Sequence, residues 1–344
     1  MSTVAQSDLQ SARQMLIPRK RFPFLRVWIL YARIRRTYLI GGEDSNMSET
    51  LNTVDADHAM RNWTYRSAGR IPIGSDLHKR MFCEMLLTTH NPYKPAVIDW
   101  PELEPAALRR VTSLPIWDIA VQTEGRASIR VATYAGTVDD PQLREALRMN
   151  GGEEARHKLV LSKLVEAYGI ELAPEPPYPA PDDPLRAWML TGYSECIDSF
   201  FAFGLFEAAR QSGYFPEELV ETFEPVIQEE ARHILFFANW VAWYRRSLPW
   251  YRKPWFLART ASVWFSLIRD RISLARGFDS KGAAQDANFP ANVGDSVAGD
   301  VSVRSLIEIC LTENNRRMDG YDARLLRPTT VPKLARLALR FIGK

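Results

Sequence analysis

The sequence predicts an all-α protein whose centre is a four-helix bundle, built as two helical hairpins joined by a long crossover. Between residues 114 and 246, four long segments carry apolar residues at helical spacing. Short turns separate the first segment from the second and the third from the fourth, and a proline-rich stretch separates the two pairs. Additional helical segments are predicted on the N-terminal and C-terminal sides of the bundle.

The residue types at the helix ends support this division. Asp140 before Pro141 is a good N-cap followed by a proline at the first helical position. Gly136, Gly169 and Gly213 follow the first three helices, and glycine commonly terminates a helix there. These signals place the helices at residues 114–135, 141–168, 184–212 and 216–246.

The proline-rich stretch is long enough to carry the chain from one end of the bundle to the other. The second helix has about 28 residues, so at a rise of about 1.5 Å per residue it is about 42 Å long. Residues 170–184 would span about 46 Å in an extended polyproline conformation. The chain can therefore return along the bundle and begin a second hairpin beside the first.

Four regions are predicted along the chain. The N-terminal region is a basic helical arm with a polar linker, and the second is an irregular and helical lead-in. The bundle follows, and the chain ends in a basic, tryptophan-containing helical extension. Their bounds are 1–57, 58–113, 114–246 and 247–344.

The motif Glu-Glu-Ala-Arg-His occurs in both the second and the fourth predicted helix. Within it, Glu154 and His157 are three residues apart, as are Glu230 and His233, so each pair lies on one helix face. Both faces are otherwise apolar and belong to the predicted core. Burying a carboxylate is costly unless something compensates its charge, so the two pairs predict a metal site.

Two further carboxylates are expected at the same height in the bundle. Each motif lies about 16 residues beyond its hairpin turn, and counting back the same distance leads to Glu124 in the first helix and to Glu195 or Asp198 in the third. We favour Glu195 because its longer side chain reaches the bundle centre, and we place Asp198 behind the ligands or in solvent. An oxygen-rich set of this kind suits iron or manganese, and four carboxylates balance two divalent ions. The predicted ligands are Glu124, Glu154, His157, Glu195, Glu230 and His233.

The arrangement resembles the ferritin-like di-iron carboxylate superfamily, which includes the ribonucleotide reductase small subunit, bacterial multicomponent monooxygenases and rubrerythrin. The resemblance rests on Glu followed by Glu-x-x-His, twice over, and covers residues 114–246. Glu153 and Glu229 stand where the monooxygenases carry aspartate. The resemblance implies that these acids orient the ligand histidine of the opposite helix. Arg156 and Arg232 either support the site as well or are ordinary i, i+3 partners of the two acids.

The resemblance also implies a function, namely a non-haem di-iron oxidoreductase that activates dioxygen. It would hydroxylate or otherwise oxidise a small organic or lipid-like substrate, with electrons from an external donor. Two iron ions are the implied cofactor, and a manganese–iron pair is the variant. A metal-binding bundle with a ferroxidase, iron-handling or structural role is the alternative. Small residues near the ligands, such as Ser128 and Gly192, either leave room for substrate or only let the helices approach closely.

Composition argues against several other classes of protein. The net charge is only +3, so a dedicated nucleic-acid binder is not expected. The three cysteines are too few and too far apart for a disulfide framework or a structural zinc site. The first residues lack the apolar run of a secretory signal, so a cytoplasmic location is expected. The histidines outside the motif are expected to be surface or hydrogen-bonded residues, and they are His58, His78 and His90.

Both flanks of the bundle mix basic and aromatic residues. The stretch from Phe22 to Ile40 is interrupted by arginines, so it is not expected to span a membrane. After the core of the fourth predicted helix, arginine and lysine are interleaved with Trp243, Trp250, Trp255 and Trp264. Such segments suit a peripheral contact with an anionic membrane surface. Alternatively, they pack on the bundle and cover it, with arginine stems along apolar surface.

Overall fold

The structure is a computed structural model that describes residues 58–277 and 302–342. Within these ranges the regular elements are helical, apart from one isolated bridge between Trp63 and Tyr321. The predicted all-α class is therefore confirmed for this part of the chain. The helices of eight residues or more are α1 (Asp76–Thr88), α2 (Pro105–Thr112), α3 (Trp117–Ala135), α4 (Pro141–Ala167), α5 (Pro184–Gln211), α6 (Glu217–Ser247), α7 (Lys253–Gly277), α8 (Val303–Asp319) and α9 (Thr330–Ala338).

The four long predicted helices are present as α3 to α6, and local chemistry explains their ends. Asp140 accepts a hydrogen bond from the Leu143 amide at the start of α4, and Asp183 accepts one from the Arg186 amide at the start of α5. Beyond the ends of α4 and α5, Gly169 and Gly213 take φ values of +63° and +66°, which favour glycine. The first helix starts at Trp117 rather than at residue 114, because a turn separates it from α2.

The long helices pack as a bundle. Helix α3 contacts α4 and α5, and α6 contacts α5 and α4, so the four enclose a common interior. The chain between α4 and α5 is non-helical from residue 168 to residue 183. It is fastened to the bundle where the Ala173 amide donates to Asp118 Oδ1, at 2.9 Å, and where Glu175 pairs with Lys158. This proline-rich segment joins α4 to α5.

Two apolar clusters fill the bundle and leave a polar layer between them. One is rich in aromatic side chains and includes Trp188 and Trp240, both fully buried. The other is mainly aliphatic and includes Leu164 and Leu205. Along α4, the motif at residues 153–157 falls between members of the two clusters. The polar residues of the motif are therefore held in the middle of the core.

The flanking regions contain more helix than the sequence indicated. Helix α1 lies in the lead-in that was expected to be partly irregular, and it packs against α4 and α6. Helix α8 lies in the predicted C-terminal helical extension and packs against α5 and α6. Helix α7 packs against α5, and α9 contacts α5 and α8. The bundle is thus covered on several sides by helices from outside the four.

The tryptophans of this region differ in how far they are buried. Trp243 and Trp264 pack on the bundle, where Trp264 contacts Tyr193. Trp250 and Trp255 are instead 81% and 78% exposed. No helix among the described residues is long and apolar enough to cross a membrane. The predicted arm and linker at residues 1–57, including the stretch from Phe22 to Ile40, lie outside the described residues.

The close contact between α5 and α8 gives a first prediction. A Cβ atom added to Gly204 would lie 2.2 Å from Cys310 Sγ and 2.9 Å from the Cys310 backbone nitrogen. Because the backbone of α8 would have to move, we expect Gly204→Ala to lower the free energy of unfolding by about 1–3 kcal/mol. Denaturant unfolding followed by circular dichroism measures this change.

Gly151→Ala is the matched control, since Gly151 also lies inside a helix and its added Cβ would meet nothing closer than 3.4 Å. There we expect a gain of up to about 1 kcal/mol from the higher helix propensity of alanine. Equal losses of stability in the two variants would contradict the close approach of α5 and α8.

Candidate metal centre

The two copies of the Glu-Glu-Ala-Arg-His motif face each other inside the bundle, one on α4 and one on α6. Glu154, His157, Glu230 and His233 each offer one ligand atom, and these atoms all lie within 4.8 Å of one another. Glu154 and both histidines are buried, and Glu230 is largely buried. This buried group could hold a metal ion.

One ring nitrogen of each histidine lies against the carboxylates of the group. His157 Nδ1 is 3.0 Å from Glu230 Oε1 and 3.7 Å from Glu124 Oε2. His233 Nδ1 is 2.8 Å from Glu154 Oε1. Both nitrogens are buried and lie at ion-pair distance from these carboxylates, but neither has the geometry of a regular hydrogen bond. Buried polar atoms normally have a partner, and a metal ion is one that imidazole nitrogen and carboxylate oxygen share.

The other ring nitrogen of each histidine is bound by the acid of the opposite motif. His157 Nε2 lies 2.8 Å from Glu229 Oε2, and His233 Nε2 lies 2.7 Å from Glu153 Oε2. An Nε2–H that donates to a carboxylate fixes the orientation of the ring and leaves Nδ1 as an acceptor for a cation. Glu153 and Glu229 thus lie where the resemblance implied, each behind the histidine of the other helix.

The two motif arginines bind across the bundle rather than along their own helices. Arg232 donates to Glu153 Oε1 at 2.8 Å, and Arg156 forms a short ion pair with Glu229. The distance from Arg156 to Glu153, its i, i+3 neighbour, is longer at 3.8 Å. Arg232 is fully buried and also donates to Thr89 Oγ1 and to the Leu86 carbonyl. The two arginines therefore fix the positions of Glu153 and Glu229, and these acids in turn orient the histidine rings.

A segment just after α1 completes this polar layer, and sequence reasoning missed its role. His90 Nδ1 lies 2.6 Å from Glu153 Oε1, although His90 was expected only to be a surface or hydrogen-bonded histidine. The Tyr93 hydroxyl donates to Glu229 Oε2 at 3.2 Å, and the Arg156 guanidinium lies 4.1 Å from the centre of the Tyr93 ring. The only signal in the sequence is that His90 and Tyr93 directly follow a helix. That position does not identify Glu153 and Glu229 as their partners.

The charges around the histidines shift several pKa values. Burial alone would raise the pKa of Glu153, but Arg232, His233 and His90 together hold it well below its usual range. Burial lowers the pKa of each motif histidine, yet the surrounding glutamates more than offset it. They raise the pKa values of His157 and His233 well above the ordinary range. In the metal-free protein the carboxylates thus favour the protonated, positively charged form of both histidines.

The two remaining predicted ligands, Glu124 and Glu195, have raised pKa values, in contrast to Glu153. Burial, with help from Glu154 and Glu230, raises the pKa of Glu124 to about 8 even though His157 opposes it. Burial and the same two glutamates raise the pKa of Glu195 well above its usual range. Both carboxylate oxygens of Glu195 are buried without a hydrogen-bond partner. The layer therefore contains more carboxylate than it can ionise alone, and a divalent cation would compensate the excess.

Asp198 is not brought to this layer. Its carboxylate accepts hydrogen bonds from Ser194 Oγ at 2.7 Å and from Arg271 of α7 at 2.6 Å. The side chain is 39% exposed, because it lies on the outer side of α5 toward α7. The placement of Asp198 behind the ligands therefore does not fit this geometry. The carboxylate oxygens of Glu195, in contrast, are buried where the charges of the other glutamates reach them.

The small residues near the site serve close packing at two positions. A Cβ atom on Gly192 would lie 2.1 Å from the Phe237 ring, so that ring already occupies the space. Ser128 Oγ donates to the Gly151 carbonyl at 2.9 Å and so links α3 to α4. Buried polar groups without a partner occur one helical turn from two of the predicted ligands, namely Asn150 before Glu154 and Thr191 before Glu195.

The unpartnered amide of Asn150 leads to a second prediction. Asn150 is fully buried, and neither its Oδ1 nor its Nδ2 has a hydrogen-bond partner. Leucine has nearly the same shape and removes a buried polar group that costs stability. We therefore expect Asn150→Leu to leave the free energy of unfolding of the metal-free protein unchanged or to raise it.

Asn239→Leu is the matched control. Asn239 is also fully buried, but it binds His78 Nε2, the Leu235 carbonyl and both backbone groups of Leu326. Its loss should lower the free energy of unfolding by about 1–3 kcal/mol. A comparable loss in Asn150→Leu, measured by denaturant unfolding, would contradict the claim that Asn150 lacks partners.

The geometry thus combines one compact group of four ligand atoms, two further acids beside it and a surrounding set of charged side chains. The compact group is buried and could bind a metal ion. Glu124 is adjacent to it at His157, and Glu195 is coupled to its charges. Compared with known proteins, this chain matches no family model, no curated protein and no solved structure.

Proposed function

We propose that this protein is a non-haem di-iron oxidoreductase that activates dioxygen and oxidises an organic substrate. The observation that carries the proposal is the reciprocal arrangement of the two motifs. Each histidine offers a buried Nδ1 to the glutamates of the layer, while its Nε2 is bound by the acid of the opposite helix. This is the arrangement that the resemblance to the ferritin-like di-iron carboxylate superfamily implies.

The donor set supports two ions rather than one. Four glutamates and two imidazoles exceed the requirement of a single ion, and four carboxylates neutralise two divalent charges. Oxygen donors with two imidazoles suit iron or manganese better than softer metals. Among the described residues the three cysteines are free, and none belongs to this group. We propose Glu124, Glu154, His157, Glu195, Glu230 and His233 as the ligands.

When bound, two ferrous ions would supply electrons for the reduction of dioxygen, and an external donor would restore them. The chain itself orients the ligand side chains. Glu153 and Glu229 hold the histidine rings, and Arg232 and Arg156 hold these acids in turn. Such support from behind the ligands fixes their geometry and tunes the metal.

The chain also controls the surroundings of the site. The aromatic cluster around Trp188 and Trp240 excludes water from one side of the polar layer. Asn150 and Thr191, on helix faces shared with two ligands, provide buried polar groups that have no hydrogen-bond partner within the chain. Oxygen insertion into an organic substrate consumes two electrons and two protons and releases one water.

The third prediction tests the ligand assignment with neighbouring acids on one helix. Elemental analysis of protein reconstituted anaerobically with ferrous iron should find two ions in the wild type. Glu195→Ala and Glu230→Ala should each lose at least one ion. Asp198→Ala, the matched control, should retain both, because Asp198 is bound to Arg271. Two ions in Glu230→Ala, or a loss in Asp198→Ala alone, would show that the assignment is wrong.

The fourth prediction separates oxygen activation from iron storage. Protein loaded with two ferrous ions should consume dioxygen faster than free ferrous iron. About one dioxygen should be used per two irons, because two irons give up the two electrons that, with two protons, reduce one dioxygen to hydrogen peroxide. An oxygen electrode measures the uptake, and His233→Ala is the control. Uptake no faster than that of free iron would contradict the proposal. Incorporation of many iron ions per chain into a mineral would favour the iron-handling alternative.

A further inference from the structure

Helix α7 carries apolar residues on two different faces. The inner face packs against the bundle and includes Phe256, Val263 and Leu267, all buried. A second set, Leu257, Phe265, Ile268 and Ile272, is exposed, and with Ala261 it follows the three-to-four-residue spacing of one helix face. We call this second set the outer stripe. A helix that only covers the bundle would need the inner face alone.

The outer stripe continues into an exposed aromatic end. The 3-10 turn Trp250–Arg252 precedes α7, and Trp250, Tyr251 and Trp255 are all exposed. Phe265, at the middle of the stripe, is 68% exposed. Within residues 58–277 and 302–342, nothing covers these side chains. Exposed apolar surface that is contiguous along a helix commonly marks a contact with a membrane or another protein.

The charges next to this surface are mainly positive. Residues 250–272 contain five basic residues and one acid, Asp270. Arg259 and Arg271 pair with acids of the bundle segment, and Arg269 pairs with Asp270. Arg252 and Lys253 remain at the start of the helix. Lys253 also lines a cavity of about 340 Å³, whose other lining residues are Ile73, Ala242, Arg245, Arg246 and Leu326. Three cations and no acid line this cavity, which would suit a phosphate group.

We propose that the outer stripe docks on an anionic lipid membrane. Helix α7 would lie in the plane of the interface, with Phe265 and Ile268 at the acyl boundary and Trp250 and Trp255 at headgroup depth. The cavity at Lys253 would receive a lipid phosphate. Pairing with a second copy through this same face is disfavoured, because it would bring the same positive charges together. Neither the outer stripe nor the cavity at Lys253 contains a proposed metal ligand, so docking does not require the metal centre.

Flotation with lipid vesicles tests the proposal on the full chain. Vesicles of equal parts phosphatidylglycerol and phosphatidylcholine should carry the protein to the top of a gradient at low salt. Pure phosphatidylcholine vesicles should bind it about tenfold less tightly, because each Lys or Arg near an anionic surface strengthens binding. Wild-type protein that stays at the bottom with the anionic vesicles would overturn the proposal.

Substitutions separate the apolar and the charged contributions. Phe265→Glu with Ile268→Glu should weaken binding by about tenfold or more, and so should Arg252→Glu with Lys253→Glu. The matched controls, Val97→Glu and Arg148→Glu, change exposed residues elsewhere and should bind as the wild type does. All of these positions except Lys253 are exposed, and Lys253 is partly buried at the edge of the cavity, so circular dichroism should show the same folding for every variant.

Two results with the stripe variant would overturn the proposal. Unchanged flotation of Phe265→Glu with Ile268→Glu would mean that charge alone accounts for the binding. Light scattering provides the other result. A wild-type dimer that becomes a monomer in the stripe variant would assign this face to an interface between copies of the chain.

Discussion

The cost of burying charge inside the bundle is the constraint on which the rest of this structure depends. The motif glutamates and histidines lie in a layer between two apolar clusters, where water cannot solvate them. Burial and mutual repulsion raise the pKa values of Glu124 and Glu195, while the histidines are driven toward the charged form. A layer with this composition is stable only when cations balance it, whether these are protons or metal ions. The proposed di-iron centre would supply that balance.

The same layer determines how the helices are held together. Because each histidine is bound by the acid of the other motif, α4 and α6 are joined through two reciprocal contacts. Arg232 extends one of them to the end of α1 through Thr89 and Leu86, and Arg156 extends the other to the segment around Tyr93. Helix α1 and the segment that follows it are therefore part of the support of the site, although neither contributes a proposed ligand.

Helix geometry made much of this site predictable. The i, i+3 spacing places Glu154 with His157 on one face in any α-helix, and counting residues from a short turn gives the height of Glu124. Counting could not separate Glu195 from Asp198, because both lie within one turn of the same helix, and only the position of α7 shows that Asp198 turns outward. The role of His90 was not predictable either, since its contact with Glu153 joins residues 63 positions apart. The exposure of the outer stripe likewise depends on which face of α7 meets the bundle.

Anomalous X-ray scattering from crystals of protein reconstituted with iron would show directly whether the polar layer holds two iron ions. If the proposed di-iron centre is correct, we expect two iron peaks, about 3.5–4 Å apart, between α4 and α6. One peak should lie next to His157 Nδ1 and the other next to His233 Nδ1, with Nε2 of each ring still bound to Glu229 or Glu153. A single peak, a peak bound through Nε2, or iron located only outside this layer would contradict it.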